Sequence, residues 1–179
     1  MLKNTSNAYG FIAKLFHWSV AILIISLLGV GLWMGGLDIE TAPYKYDVYG
    51  LHKSFGIVVL ALMIGRFCWR IYNTSVAPHA NHKTWERHLA KVAHVLLYVM
   101  AFTMPLSGWG MSSAGGHAVS LFGLPMPALV PENKDLGGIF HTIHGYGGWF
   151  LIGLVSLHVF GALKHHFVDR DDTIKRMVK

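Results

Sequence analysis

The chain contains a single cysteine, Cys68, among 179 residues, so no internal disulfide can form. It has no C-x-x-C-H run, which excludes covalent attachment of a haem through that motif. Charge is scarce, at 13% of residues, and acidic charge scarcer, with nine Asp and Glu against fifteen Lys and Arg. The resulting net charge of +6 does not describe a nucleic-acid binder, because the basic residues lie at the ends of apolar segments, where membrane topology puts them. No nucleic-acid partner is expected. Small-residue cleavage signals are also missing after the first apolar run, which is longer than the apolar region of a secretory leader, so a retained helix is expected there.

What is present is apolar. Hydrophobic residues make up 53% of the chain, and mean hydropathy is +0.43. Four runs approach or exceed the roughly 20 residues that cross a bilayer: residues 11–35, 51–72, 88–111 and 139–167. They predict one domain over residues 1–179, an all-α integral membrane four-helix bundle with lipid as its surroundings. Residues 36–50 and 73–87 read as polar connections. Pro105, inside the third run, predicts a kink. In the long connection 112–138, AVSLFGLPMPALV is apolar but broken by proline, and reads as a lid at the interface rather than a fifth span. Four spans put both termini on one side. Lys3, Lys14, Arg66, Arg70, Lys83, Arg87, Lys91, Lys164, Arg170, Lys175, Arg176 and Lys179 fall on that side, against Lys45, Lys53 and Lys134 opposite. The bias predicts that both termini are cytoplasmic.

The fourth run carries HGYGGWFLIGLVSLH from His144 to His158. Fourteen residues are close to four helical turns, so both imidazoles share a face, roughly 21 Å apart along the axis. Ionisable groups inside lipid are costly and usually functional. With the predicted topology, His17 and His158 fall at an inner level, and His52 and His144 at an outer one. Opposed imidazoles from separate helices suit a flat macrocycle held at both axial positions, one at each level. The same 14-residue step leads from His17 to Gly31 and from His94 to Gly108, glycines that leave room for a porphyrin edge at the outer level. From His52 it leads to Arg66, a partner for a haem propionate at the inner level. His94 is surplus at the inner level: it is either a substitute for His17 or His158 as ligand or a partner for a propionate. His141 is expected to face solvent or a propionate. His79, His82 and His88 offer metal-ligand chemistry in a connection, with a solvated loop as the plainer expectation. His165 and His166 mark the water boundary. Trp18, Trp33, Trp69, Trp109 and Trp149 read as interface anchors.

LFHW (15–18), LHKSFGIVVLALMIGRFCWR (51–70), HLAKVAHVLLY (88–98), the His144/His158 pair and ALKHHFVDRDDTIKRM (162–177) together resemble the bacterial cytochrome b561 family of four-helix dihaem membrane proteins. The resemblance covers all four spans and the tail, and is weakest over 112–138. It implies two non-covalent b-type haems, ligation by His17, His52, His144 and His158, a membrane quinone such as ubiquinone, and a multi-pass protein of the bacterial inner membrane. One branch of the family looks like a superoxide oxidase that passes electrons to ubiquinone; this chain is more similar to a second branch, whose donor the resemblance leaves open.

The leading expectation is transmembrane electron transfer between an outer-face redox partner and the quinone pool. Two versions compete with it: a superoxide:ubiquinone oxidoreductase, for which Lys53 beside His52 is the one obvious basic contact, and a haem-bearing anchor for a separate dehydrogenase or small redox protein. The sequence carries no signal for oligomeric state.

Overall fold

A computed structural model describes residues 1–77 and 82–178. Pro78, His79 and Lys179 therefore lie outside the described residues, and with them the loop position of His79 and one of the counted basic residues. The elements in chain order are α1 (Phe11–Gly35), α2 (Lys45–Tyr72), α3 (Thr84–Ala114), β1 (Ser120–Leu121), β2 (Leu124–Pro125), α4 (Lys134–Phe167) and the short α5 (Lys175–Val178). The first four α-helices are each long and apolar enough to cross a membrane. A helix is the form such a run must take in lipid, since it satisfies every interior backbone group within the segment.

The first helix has the bounds expected from its apolar run; the other three extend beyond theirs. The second begins at Lys45 rather than 51, the third runs from Thr84 to Ala114, and the fourth begins at Lys134 rather than 139. Hydropathy marks only the lipid-facing part, and the added turns are polar or mixed. At 34 residues, α4 measures about 51 Å and must project from a core roughly 30 Å thick. Asn133 starts it, its side-chain oxygen accepting from Leu136 N–H at 3.0 Å. Pro105 lies inside α3, which continues unbroken past it.

Neighbours in sequence pack as neighbours in space, α1 on α2, α2 on α3 and α3 on α4. The interior is narrow: Val20, Val59, Met63 and Ala101 form its buried centre, flanked by Leu23, Ile24, Leu27, Leu62, Tyr98 and Phe102. Most large apolar side chains point outward instead, as a lipid solvent allows. Glycine sets the α3–α4 approach. A β-carbon on Gly110 would lie 2.8 Å from the Phe140 ring, and one on Gly147 would lie 2.9 Å from Met104 Sδ.

The connection expected to be an apolar lid is a small hairpin. β1 and β2 pair antiparallel, Ser120 opposite Pro125 and Leu121 opposite Leu124. The turn residues Phe122 and Gly123 have φ of 50° and 94°, the positive values that a two-residue hairpin turn demands. Ser54 of α2 holds it: its hydroxyl lies 2.8 Å from Ser120 O and accepts from Phe122 N–H at 3.1 Å.

Both termini gather at one end. Asn4 bonds to Asn73 and to Thr74 O, Trp18 Nε1–H donates to Met177 O at 3.0 Å, and Arg176 donates to Ala77 O at 3.2 Å. The N-terminal segment, the second connection and the tail are thus one tied structure.

Candidate functional site

Antiparallel helices bring the start of α1, the end of α2, the start of α3 and the end of α4 to the terminus-bearing level. His17 and His158 meet there, with ring centroids 6.2 Å apart. At the far level His52 and His144 meet at 6.3 Å. Two imidazoles bound through nitrogen at opposite sides of one metal, with bonds of ~2.0–2.1 Å, have centroids roughly 6.3 Å apart. Both pairs have the spacing of ligands with an iron between them. His94 also reaches the terminus-bearing level, where its ring lies 5.4 Å from that of His158. That is shorter than the His17–His158 separation of 6.2 Å.

The surroundings of each ring differ. His144 Nδ1–H donates to Met104 O at 3.0 Å and lies 3.1 Å from Ser107 Oγ. With that nitrogen engaged on the backbone, Nε2 is left to ligate, the usual orientation of metal-bound histidine. His52 Nδ1 is buried without a hydrogen-bond partner among the described residues. At the other level, Arg66 Nη2 donates to His17 Nδ1 at 3.1 Å. Arg66 and Arg70 both lie over the Tyr98 ring, at 5.3 and 5.1 Å from its centroid.

At the far level a cavity of about 250 Å³ opens between the helices and is lined by His52, His144, Gly31, Gly56, Gly145 and Gly148 among other residues. Its walls include Leu28 and Leu32 of α1 and Trp149 and Ile152 of α4, helices whose backbones make little direct contact. The two glycines reached by the 14-residue step differ in what they do. Gly31 lines the cavity, and a β-carbon there would only touch His52 Cε1 at 3.5 Å. Gly108 instead backs the His144 ring, where a β-carbon would come within 3.0 Å of Cε1. Gly31 thus borders open space, while Gly108 gives way to the His144 ring itself. Lys53 is half-buried beside His52, and His141 is exposed.

Sequence reasoning missed Ser107 and Met104 O as supports for His144, and Tyr98 as a shelf for two arginines. A serine or a tyrosine in an apolar helix carries no spacing signal of its own. Of the three histidines of the second connection, His79 lies outside the described residues, His88 Nδ1–H turns back onto Thr84 O of its own helix at 2.8 Å, and His82 meets the tail rather than standing solvated in a loop. Trp18 and Trp109 act as tethers, donating to Met177 O and Pro127 O.

Facing histidines at two levels of an apolar bundle are the architecture of a membrane haem cytochrome. The family model described as prokaryotic cytochrome b561 matches residues 8–179, and the chain belongs to that family. It is 34% identical to cytochrome b561 homolog 2 of Escherichia coli (strain K12), over 98% of this chain and 93% of that protein. It is 29% identical to the probable superoxide oxidase CybB of Yersinia pestis, over 90% of each. A more distant relative, at 25% identity over 92% of this chain and 83% of the other, is the probable Ni/Fe-hydrogenase B-type cytochrome subunit of Azotobacter vinelandii. The protein is a multi-pass membrane cytochrome of the haem b type, with a role in electron transfer.

Proposed function

We propose that the protein carries two b-type haems, one at each level, and passes electrons across the bacterial inner membrane between a redox partner at the far face and the quinone pool. The observation that carries this is the pair of histidine spacings, 6.2 and 6.3 Å, each matching trans ligation of one iron and set about 21 Å apart along the bundle. His17 and His158 hold one group, and His52 and His144 the other. Haem b held by these histidines would supply a one-electron couple suited to electron transfer rather than oxygen binding.

The chain's own part is position, exclusion of water and charge. Met104 O and Ser107 fix the His144 ring. Gly31 opens the wall that receives the macrocycle. If His17 ligated through Nε2, its Nδ1 would carry a proton and Arg66, now 3.1 Å from that nitrogen, would turn to another acceptor such as a propionate carboxylate. The basic bias places the termini in the cytoplasm.

Superoxide as donor is the second version, favoured by the likeness to the probable superoxide oxidase. Against it stands the charge of the far face, where Lys45, Lys53 and Lys134 meet Asp38, Glu40, Asp47, Glu132 and Asp135. Lys45 Nζ is moreover tied to Leu37 O at 2.6 Å. An anion would find little long-range attraction there.

The test is haem stoichiometry and quinone exchange on the purified chain. Two haems b per chain, and Soret-band oxidation by ubiquinone without a partner subunit, are expected. One haem per chain would overturn the two-level assignment. No exchange with quinone, but fast reduction by a co-purifying protein, would move the chain to the anchor class.

A further inference from the structure

Away from the bundle interior, the terminus-bearing end contains a second convergence of ligating groups. His82 comes from the connection before α3, His165 from the last turn of α4 and Asp171 from the tail. His82 Nε2 lies 2.7 Å from Asp171 Oδ2, and His165 Nδ1 lies 3.5 Å from the same oxygen. One ligating atom from each residue lies within 4.8 Å of the others. The side chains are largely shielded, at 16%, 16% and 5% exposure, and the two imidazole rings stack with centroids 4.1 Å apart.

We propose that His82, His165 and Asp171 form a binding site for a single divalent transition-metal ion of the Zn²⁺ class. Four ligands at ~2.0–2.1 Å around such an ion are roughly 3.3–3.4 Å from one another. The observed separations straddle that value, so small side-chain movements close the site. Two imidazole nitrogens and one carboxylate oxygen select a borderline ion over Mg²⁺ or Ca²⁺, which take oxygen ligands. The fourth position is left to water, since Asp169 is held by Lys164 Nζ at 2.7 Å.

The ligands have the supporting contacts of a built site. Thr173 N–H donates to Asp171 Oδ1 at 2.8 Å, which turns Oδ2 toward the histidines. Arg87 Nε–H donates to His82 O at 2.9 Å and fixes that backbone. His165 Nδ1 also lies 2.7 Å from Asp169 Oδ2, a hydrogen bond that gives way when that nitrogen sheds its proton to ligate. Arg170 adopts a φ of 54°, which folds the chain back so that Asp171 N–H meets His165 O at 3.1 Å. Burial raises the Asp171 carboxyl's pKa, but the hydrogen bonds from His82 and Thr173 outweigh it and bring it to about 2. A bound ion would join three segments, two of them 89 residues apart, and clamp the tail against the bundle.

The experiment uses the haem-loaded full chain, purified in detergent with a tag free of histidine. Calorimetric titration with ZnCl₂ should show one ion per chain. His82→Ala and Asp171→Asn should each weaken that binding by ~10-fold or more, while His88→Ala leaves it unchanged. Unaltered haem spectra report that each variant is folded; His82→Gln replaces any that is not. Zinc should also protect residues 168–178 from proteolysis in the parent chain and not in Asp171→Asn. No stoichiometric binding, or equal binding in the parent and both ligand variants, would overturn the proposal and leave a purely hydrogen-bonded latch.

Discussion

At the scale of single residues, the paired histidines predict selective losses. His17→Ala or His158→Ala should remove the haem at the terminus-bearing level and leave the other spectrum, and His52→Ala or His144→Ala should do the reverse. His94→Ala should retain both, because its ring is 5.4 Å from His158, too near to share an iron across a macrocycle. If His94→Ala loses a haem and His17→Ala does not, the pairing is wrong. Gly108→Ala tests the support of a ligand: its β-carbon would press to within 3.0 Å of His144 Cε1, so partial loss of the far-level haem is expected in a pyridine haemochrome assay. Arg66 carries the third residue-scale expectation. A positive charge near an iron stabilises the reduced form, by about 2 kcal/mol at ~8 Å and an effective dielectric near 20. Arg66→Leu should lower one midpoint potential by tens of millivolts and leave the other nearly unchanged; equal shifts in both, on redox titration, would sink that placement.

Between elements, contacts are made by very small residues or by single hydroxyls. The α3–α4 seam depends on glycine against large side chains, so Gly110→Ala must displace the Phe140 ring that lies 2.8 Å from the new atom. Overpacking of that kind costs about 1–3 kcal/mol, and a lowered Tm in detergent is the expected result; an unchanged Tm would mean that the seam yields. Ser54 binds α2 to the hairpin through both Ser120 O and Phe122 N–H, beside the Phe55–Phe122 ring contact at 5.2 Å. Ser54→Ala leaves those groups to find water, at about 1–3 kcal/mol if they stay buried. Hydrogen exchange should quicken across 119–126 with little change in α1.

For the whole molecule, orientation and charge decide what can reach the haems. With both termini at one end and the basic residues concentrated there, a fluorescent protein fused to the C-terminus should fold and fluoresce, while alkaline phosphatase fused at the same point should be inactive. The reverse pair of results would invert the bundle and exchange the donor and acceptor faces. The far face, poor in unengaged positive charge, predicts that any reduction by superoxide depends weakly on ionic strength, since only a positive surface gives an attraction that salt can screen. Stopped-flow rates that collapse with added salt would refute that account and favour the oxidase version.

The number of spans, their order, the common side of the termini and the two histidine levels were all legible in the chain itself. Each follows from periodicity along one helix or from the requirement that lipid places on a continuous apolar run. The 14-residue step works because helical rise is constant, so His144 and His158 state their own separation. Tertiary structure alone set how far His17 and His94 lie from His158, because they stand at the same height on different helices. It also set the different surroundings of Gly31 and Gly108, the hairpin where an apolar lid was expected, and the meeting of His82 with His165 and Asp171. These depend on lateral packing and on the path of connections, and no period along the chain encodes which helix stands beside which.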